Sequence, residues 1–398
     1  MALQSRPSPT TNRLLAAAFL MATSAIGPGF LTQTTVFTQQ LLAAMGFVIL
    51  ASVMIDLVVQ LNIWELLHAH RKTAAQLAND YLPGSGHVLT LLVCFGGLAF
   101  NIGNISGAGL GLQALTGMPV HTGAMLSALL ALLLFSAQRA LRAMDRLVQV
   151  LGVLMLVLML VVVARSTPPA GELLQGILFP QTISWTAIIT LVGGTVGGYI
   201  SFAGAHRLLA EPEPLTTAQV RRSAISGILL TSLMRLLLFA AVLGVLLQGF
   251  IPDAANPTAS VFGKALGTAG YRIFGCILWA AAMTSIVGAA FTSISFMQNL
   301  HPAIAARKQT ATMVFIIISA LIFQVWGKPV TILVWAGAIN GIILPLALIL
   351  LLWIAHRTRL PHFRRRTGLL AAGWLVAAVL LWMSVRTLIT ELPRLLQP

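Results

Sequence analysis

Apolar runs of about 20 residues recur along this chain almost from end to end, parted by short segments that hold most of its Lys and Arg. A helix needs about 20 apolar residues to cross the hydrocarbon of a bilayer. Charged residues make up only 8% of the 398, against about 25% in a soluble domain, so the chain cannot cover its own surface in water. Lipid is therefore expected to be its main solvent. The chain is read as an all-α membrane protein, a single transmembrane domain over 1–398.

Turn and charge signals divide the chain into eleven runs: 13–38, 41–67, 87–116, 121–138, 146–165, 183–209, 223–250, 258–298, 310–326, 329–355 and 367–390. The first holds Pro28 and leads into further spans, so it is read as a transmembrane helix and not as a cleavable signal peptide. The eighth is too long for one crossing and is expected to open with a short extramembrane helix near 259–266. Cys94 and Cys276 lie inside apolar runs and suggest neither a disulfide framework nor a zinc site.

Basic residues orient the spans. With the N-terminus in the cytoplasm, 17 of the 24 Lys and Arg fall on the cytoplasmic side and six on the other, while Arg235 lies inside a span. The C-terminus is then outside. The net charge of +15 is thus topological, and no nucleic-acid partner is expected.

Two spans are broken by glycine. The first contains Ala25, Ile26, Gly27, Pro28, Gly29 and Phe30, followed by the polar run Thr32, Gln33, Thr34 and Thr35. Pro28 removes a helical hydrogen bond, and the flanking glycines tolerate extended backbone. The sixth contains Gly193, Gly194, Gly197 and Gly198, then Tyr199. The breaks stand five spans apart. Two five-span repeats, 13–165 and an inverted 183–355, would give them matching places, with 367–390 as an extra helix. Such paired breaks mark transporters that bind substrate at the midplane.

Polar residues inside spans are costly and therefore informative. Asp56 and Arg235 sit mid-span in runs two and seven, which are repeat equivalents, and are expected to form an ion pair. Asn101 and Asn104 share one face of the third run and are candidate substrate contacts, as are the residues of the two breaks. Thr284 and Ser285 in the eighth run, with the carbonyl of Ile26, are candidate ligands for Na⁺; Asn340 lies between Gly337 and Gly341 with its role open. No nucleotide-binding loop, Cys-x-x-Cys or paired-histidine metal motif is present. Only Asp56, Arg235 and scattered hydroxyls offer chemistry at membrane depth, so an enzyme is not expected and no cofactor is implied.

The stretch 22–40, the segment Gln113-Ala114-Leu115-Thr116-Gly117-Met118-Pro119 and the stretch 194–199 resemble the Nramp family of divalent-metal transporters, within the amino acid–polyamine–cation superfamily. The resemblance implies a LeuT-like 5+5 inverted repeat, helices 1 and 6 discontinuous, in a bacterial cytoplasmic membrane. It also shows departures. The family's Asp-Pro-Gly-Asn reads Gly27-Pro28-Gly29-Phe30 here, and its Met-Pro-His aligns with Gly197-Gly198-Tyr199. Acidic residues of the family's proton route align with Asn101 and Asn104. Metal ligands and proton carriers are both replaced, and the chain is similar to a prokaryotic subgroup associated with genes for 5-oxoproline breakdown. The expected function is secondary transport, by symport with Na⁺ or H⁺, of a small organic acid or amino-acid-like solute, 5-oxoproline being a candidate. The alternative is a Mg²⁺- or Mn²⁺-type metal transporter with an oxygen-rich site.

Overall fold

A computed structural model describes residues 26–136, 138–209, 215–298, 300, 302–358, 360 and 366–395. Ala25 and the earlier part of the first run lie outside them. The described helices are α1 (Pro28–Leu41), α2 (Met45–His70), α3 (Ala74–Tyr81), α4 (Ser85–Thr116), α5 (Val120–Ser136), α6 (Gln138–Ser166), α7 (Ala170–Leu178) and α8 (Trp185–Val196). They continue as α9 (Ile200–Leu209), α10 (Thr217–Leu247), α11 (Pro257–Met297), α12 (Pro302–Ala306), α13 (Lys308–Trp326), α14 (Pro329–Arg357) and α15 (Thr367–Leu395). Among the described residues there is no strand.

Eight helical stretches are long and apolar enough to cross a membrane, or nine if α6 and α7, bent by 111°, count as one span. The difference from eleven lies in two places. α1 passes through a 3₁₀ turn into α2, so Pro28–His70 counts once, and the apolar part of α5, Val120–Phe135, is short. Helices α3, α7 and α12 fall outside the eleven runs because each has nine residues or fewer, too few to span.

Local chemistry sets the ends. Thr73 with Gln76, and Thr216 with Gln219, form capping boxes at the starts of α3 and α10. α4 ends at Gly117, in the left-handed region at φ 81, whose N–H bonds Gln113 O at 2.8 Å. Pro257 and Pro329 open α11 and α14, where a missing N–H costs nothing. α11 is interrupted at Gly267 (φ 69, ψ −164), just past the short opening helix expected over 259–266.

Large apolar side chains face outward, among them Leu91, Val150, Val153 and Leu375, as lipid requires. Polar side chains face inward: Gln33, Asp56, Gln60, Asn101, Arg235 and Asn340 are all buried. Helices in lipid gain little from the hydrophobic effect and associate through close packing of small residues. α4 and α11 form the most extensive pair. There, a Cβ on Gly111 would stand 2.5 Å from the backbone N of Trp279, and one on Gly275 2.8 Å from that of Leu115.

Candidate functional site

The first break precedes α1. Gly27 is its N-cap, extended at φ −108 and ψ −174 and without a side-chain cap. The helical ladder starts with Leu31 N–H to Gly27 O at 3.3 Å. Pro28 has no N–H, so the Gly29 and Phe30 amides are the free donors of the first turn, at the positive end of the helix dipole. Two other helices close on this point. A Cβ on Gly27 would lie 3.3 Å from Ser285 Oγ of α11 and 3.6 Å from Asn104 Oδ1 of α4. Pro28 packs against Gly107 so tightly that a Cβ there would overlap its ring. Asn104 Nδ2 is buried without a partner. The structure thus brings together Gly27, Asn104 and Ser285, with Ile26 half-buried beside them.

The second break is narrower than the glycine cluster suggests. α8 stays helical through Gly193 and Gly194 and ends at Val196. Only Gly197, Gly198 and Tyr199 leave the helix, with Gly198 at φ +54. Gly193 lets α8 touch the backbone of α14 at Gly337 and Gly341, and Gly194 faces Gln33. The gap is filled from α14. Asn340 Nδ2 donates to Gly96 O at 3.0 Å and to Ala336 O at 2.8 Å, and a Cβ on Gly198 would overlap Asn340 Oδ1. Tyr199 turns to α4, edge-on to Phe100 at 5.7 Å.

Asp56 and Arg235 do not close on each other as expected. Arg235 Nη1 donates to Thr195 Oγ1 at 2.9 Å, whose own hydroxyl donates to Leu191 O at 2.9 Å, while Asp56 stands on α2, which packs against α10. The two charges form no ion pair with each other, unlike Lys72 with Asp80 and Arg221 with Glu65. The Arg235 guanidinium lies over the Phe30 ring, 4.2 Å from its centroid. Thr195 ends α8 and Phe30 opens α1, so this cluster of helices α1, α2, α8 and α10 is bordered by both breaks.

Two candidates point elsewhere. Asn101 Nδ2 donates to Ser319 Oγ of α13 at 3.0 Å, which ties α4 to α13 away from α1. Thr284 Oγ1 donates back to Ala281 O at 3.0 Å, the usual habit of a helical threonine. Three residues escaped the sequence reading as site members: Thr195, Asn340 and Gln33. Gln33 Nε2 binds Leu333 O at 2.8 Å and so joins α1 to α14. Its place in the polar run after the break was the available signal.

The family described as "Natural resistance-associated macrophage protein-like" (Nramp) matches residues 18–390. The chain belongs to the Nramp family. It is 48% identical over 385 residues to the "Uncharacterized membrane protein YcsG" of Bacillus subtilis, covering 96% of this chain and 95% of that one. A mutant of the Eremococcus coleocola manganese transporter superposes with TM-score 0.73 at 16% identity, over 98% of this chain and 90% of that chain. MhsT in complex with L-phenylalanine superposes with TM-score 0.66 at 15% identity, covering 95% and 98%. The Nramp chain therefore has the LeuT fold and is a multi-pass membrane transporter, not an enzyme. Its fold supports secondary transport of a small molecule or ion by alternating access.

Proposed function

We propose that this Nramp protein carries a small organic acid or amino-acid-like solute, such as 5-oxoproline, across the bacterial cytoplasmic membrane, with its N-terminus inside and C-terminus outside. The orientation rests on the 17-to-6 distribution of Lys and Arg. The observation that carries the substrate reading is the donor set at the first break. The first-turn amides of α1 are uncommitted beside a neutral glycine, and Asn104, whose Oδ1 faces Gly27, keeps a buried Nδ2 without a partner. Such donors at a helix N-terminus suit a carboxylate. Among the described residues no three His, Cys, Asp or Glu side chains cluster as a metal site would require. Ser285 Oγ, close to Gly27, with the Ile26 carbonyl, offers oxygens to a coupling Na⁺.

A second reading is supported by the likeness to metal transporters, a manganese transporter among them. The cargo would then be Mg²⁺ or Mn²⁺, held by amide, hydroxyl and carbonyl oxygens. Purified protein titrated with Mn²⁺, 5-oxoproline and amino acids, in Na⁺ and in K⁺, separates the two by thermal stability. The expected result is a shift with an organic acid that is larger in Na⁺. A shift with Mn²⁺ and with no organic solute would overturn the proposal. Gly27→Leu should fold normally and abolish uptake.

A further inference from the structure

The charged cluster between the two breaks holds polar atoms that nothing in the protein satisfies. Arg235 is 2% exposed, yet its Nε and Nη2 have no hydrogen-bond partner. Asp56 is 1% exposed, and its Oδ1 is likewise unpartnered. Unpaired polar atoms are expensive at membrane depth, and charged ones more so. The free pair on Arg235 is chemically specific. Nη1 is engaged by Thr195, and the flat face rests on Phe30. What remains is the side-on edge of the guanidinium, two parallel N–H donors whose spacing matches the two oxygens of a carboxylate. Asp56, on the neighbouring helix α2, has an Oδ1 that lacks a donor. The cluster therefore presents a carboxylate fork and, beside it, an acceptor for an N–H.

We propose that Arg235 and Asp56 form the recognition site for a small acid whose carboxylate stands next to an N–H, Arg235 binding the carboxylate and Asp56 the N–H. This rests on the reading of the chain as a carrier of an organic acid. It assigns the carboxylate to Arg235, leaves the α1 amides to another oxygen of the solute, and narrows the class to amino, imino and lactam acids. Phe30 has a positioning role: its ring holds the guanidinium plane so that the free edge faces sideways. The Asp56–Arg235 pair is then completed by substrate and not by itself, which accounts for two buried opposite charges that each keep an unpartnered atom.

The test needs no variant at its first step. Wild-type protein in detergent is titrated with 5-oxoproline and with L-proline, each against its own carboxamide, following the melting temperature. The better acid is expected to bind about 100-fold more tightly than its carboxamide. Equal affinities for acid and carboxamide, or no binding of either acid, overturn the proposal. Arg235→Gln is expected to weaken the acid by about 100-fold and the carboxamide by less than about threefold. Equal loss of both would mean a structural role and overturn it. Should that variant fail to fold, Arg235→Lys keeps the charge without the fork and is expected to bind the acid about tenfold more weakly than wild type. Acid binding by the lysine variant at wild-type affinity overturns the fork. Asp56→Ala, which removes the acceptor, is expected to keep the acid-to-carboxamide ratio and to lose the preference for the lactam over its N-methyl analogue. Loss of the ratio instead would identify a closed ion pair and overturn the assignment. If acid and carboxamide bind wild type equally and Gly27→Leu abolishes both, the organic-solute reading stands and only this proposal falls. If Mn²⁺ alone binds, both fall.

Discussion

At Gly27, an added Cβ would meet Ser285 Oγ at 3.3 Å and Asn104 Oδ1 at 3.6 Å; at Gly198 it would run into Asn340 Oδ1. The first contact is tight but is with movable side-chain ends that can give way at the start of α1. The second is with an amide pinned by two hydrogen bonds to α4 and α14. Gly27 also has an ordinary extended φ of −108, whereas Gly198 sits at φ +54, where a side chain is strained. Matching places in an inverted repeat thus do not mean matching jobs. The first break leaves donors uncommitted, as the proposed solute site requires, while the second is plugged by the protein's own amide.

The strongest way to break this comparison is Gly198→Ala. It combines left-handed strain with overpacking and is expected to cost about 3 kcal/mol of stability, read from detergent melting. A melting point equal to wild type would mean that the second break is as open as the first. Asn340→Ala comes next, removing two hydrogen bonds and leaving a void, for about 2 kcal/mol. Because Asn340 is what obstructs a Cβ at Gly198, the double variant should be more stable than the two single losses predict, by about 1 kcal/mol. Strict additivity would separate the two residues. Gly27→Ala should shift stability by less than about 1 kcal/mol, yet lower uptake into proteoliposomes by about tenfold. The reverse pattern, unstable but active, would make the first break architectural too. Asn101→Ala should cost about 1 kcal/mol through its lost bond to Ser319 and leave solute affinity unchanged. Thr284→Ala should do least, under about 0.5 kcal/mol, because its hydroxyl serves its own helix. A large loss of Na⁺ dependence in this last variant would instead place Thr284 on the ion.

Much of this was legible in the chain itself. Gly27-Pro28-Gly29 announced a helix end because proline lacks an N–H in any setting. The glycines of the sixth run announced weakness, though Gly193 and Gly194 proved helical and occupied in contact with α14 and Gln33. A glycine that lets two backbones touch and a glycine that breaks a helix read the same in sequence. Asp56 and Arg235 were expected to pair from their depth in the second and seventh runs, but Arg235 donates to Thr195 instead. Thr195 was not readable, since one threonine among many carries no label.

What the chain determined alone is its solvent and its local backbone. Too little charge for water, eleven apolar runs and two glycine-weakened spans follow from transfer energies and φ preferences that act within one segment. What only the tertiary structure decided is which side chains share a point in space. Several of the inner helices are apolar nearly all round, so periodicity cannot say which face meets which neighbour. That Asn340 reaches across to Gly198, that Ser285 and Asn104 meet at Gly27, and that Arg235 lies on Phe30 with one edge free depend on the register between helices. Close packing of small residues sets that register, and it exists only once the bundle has assembled.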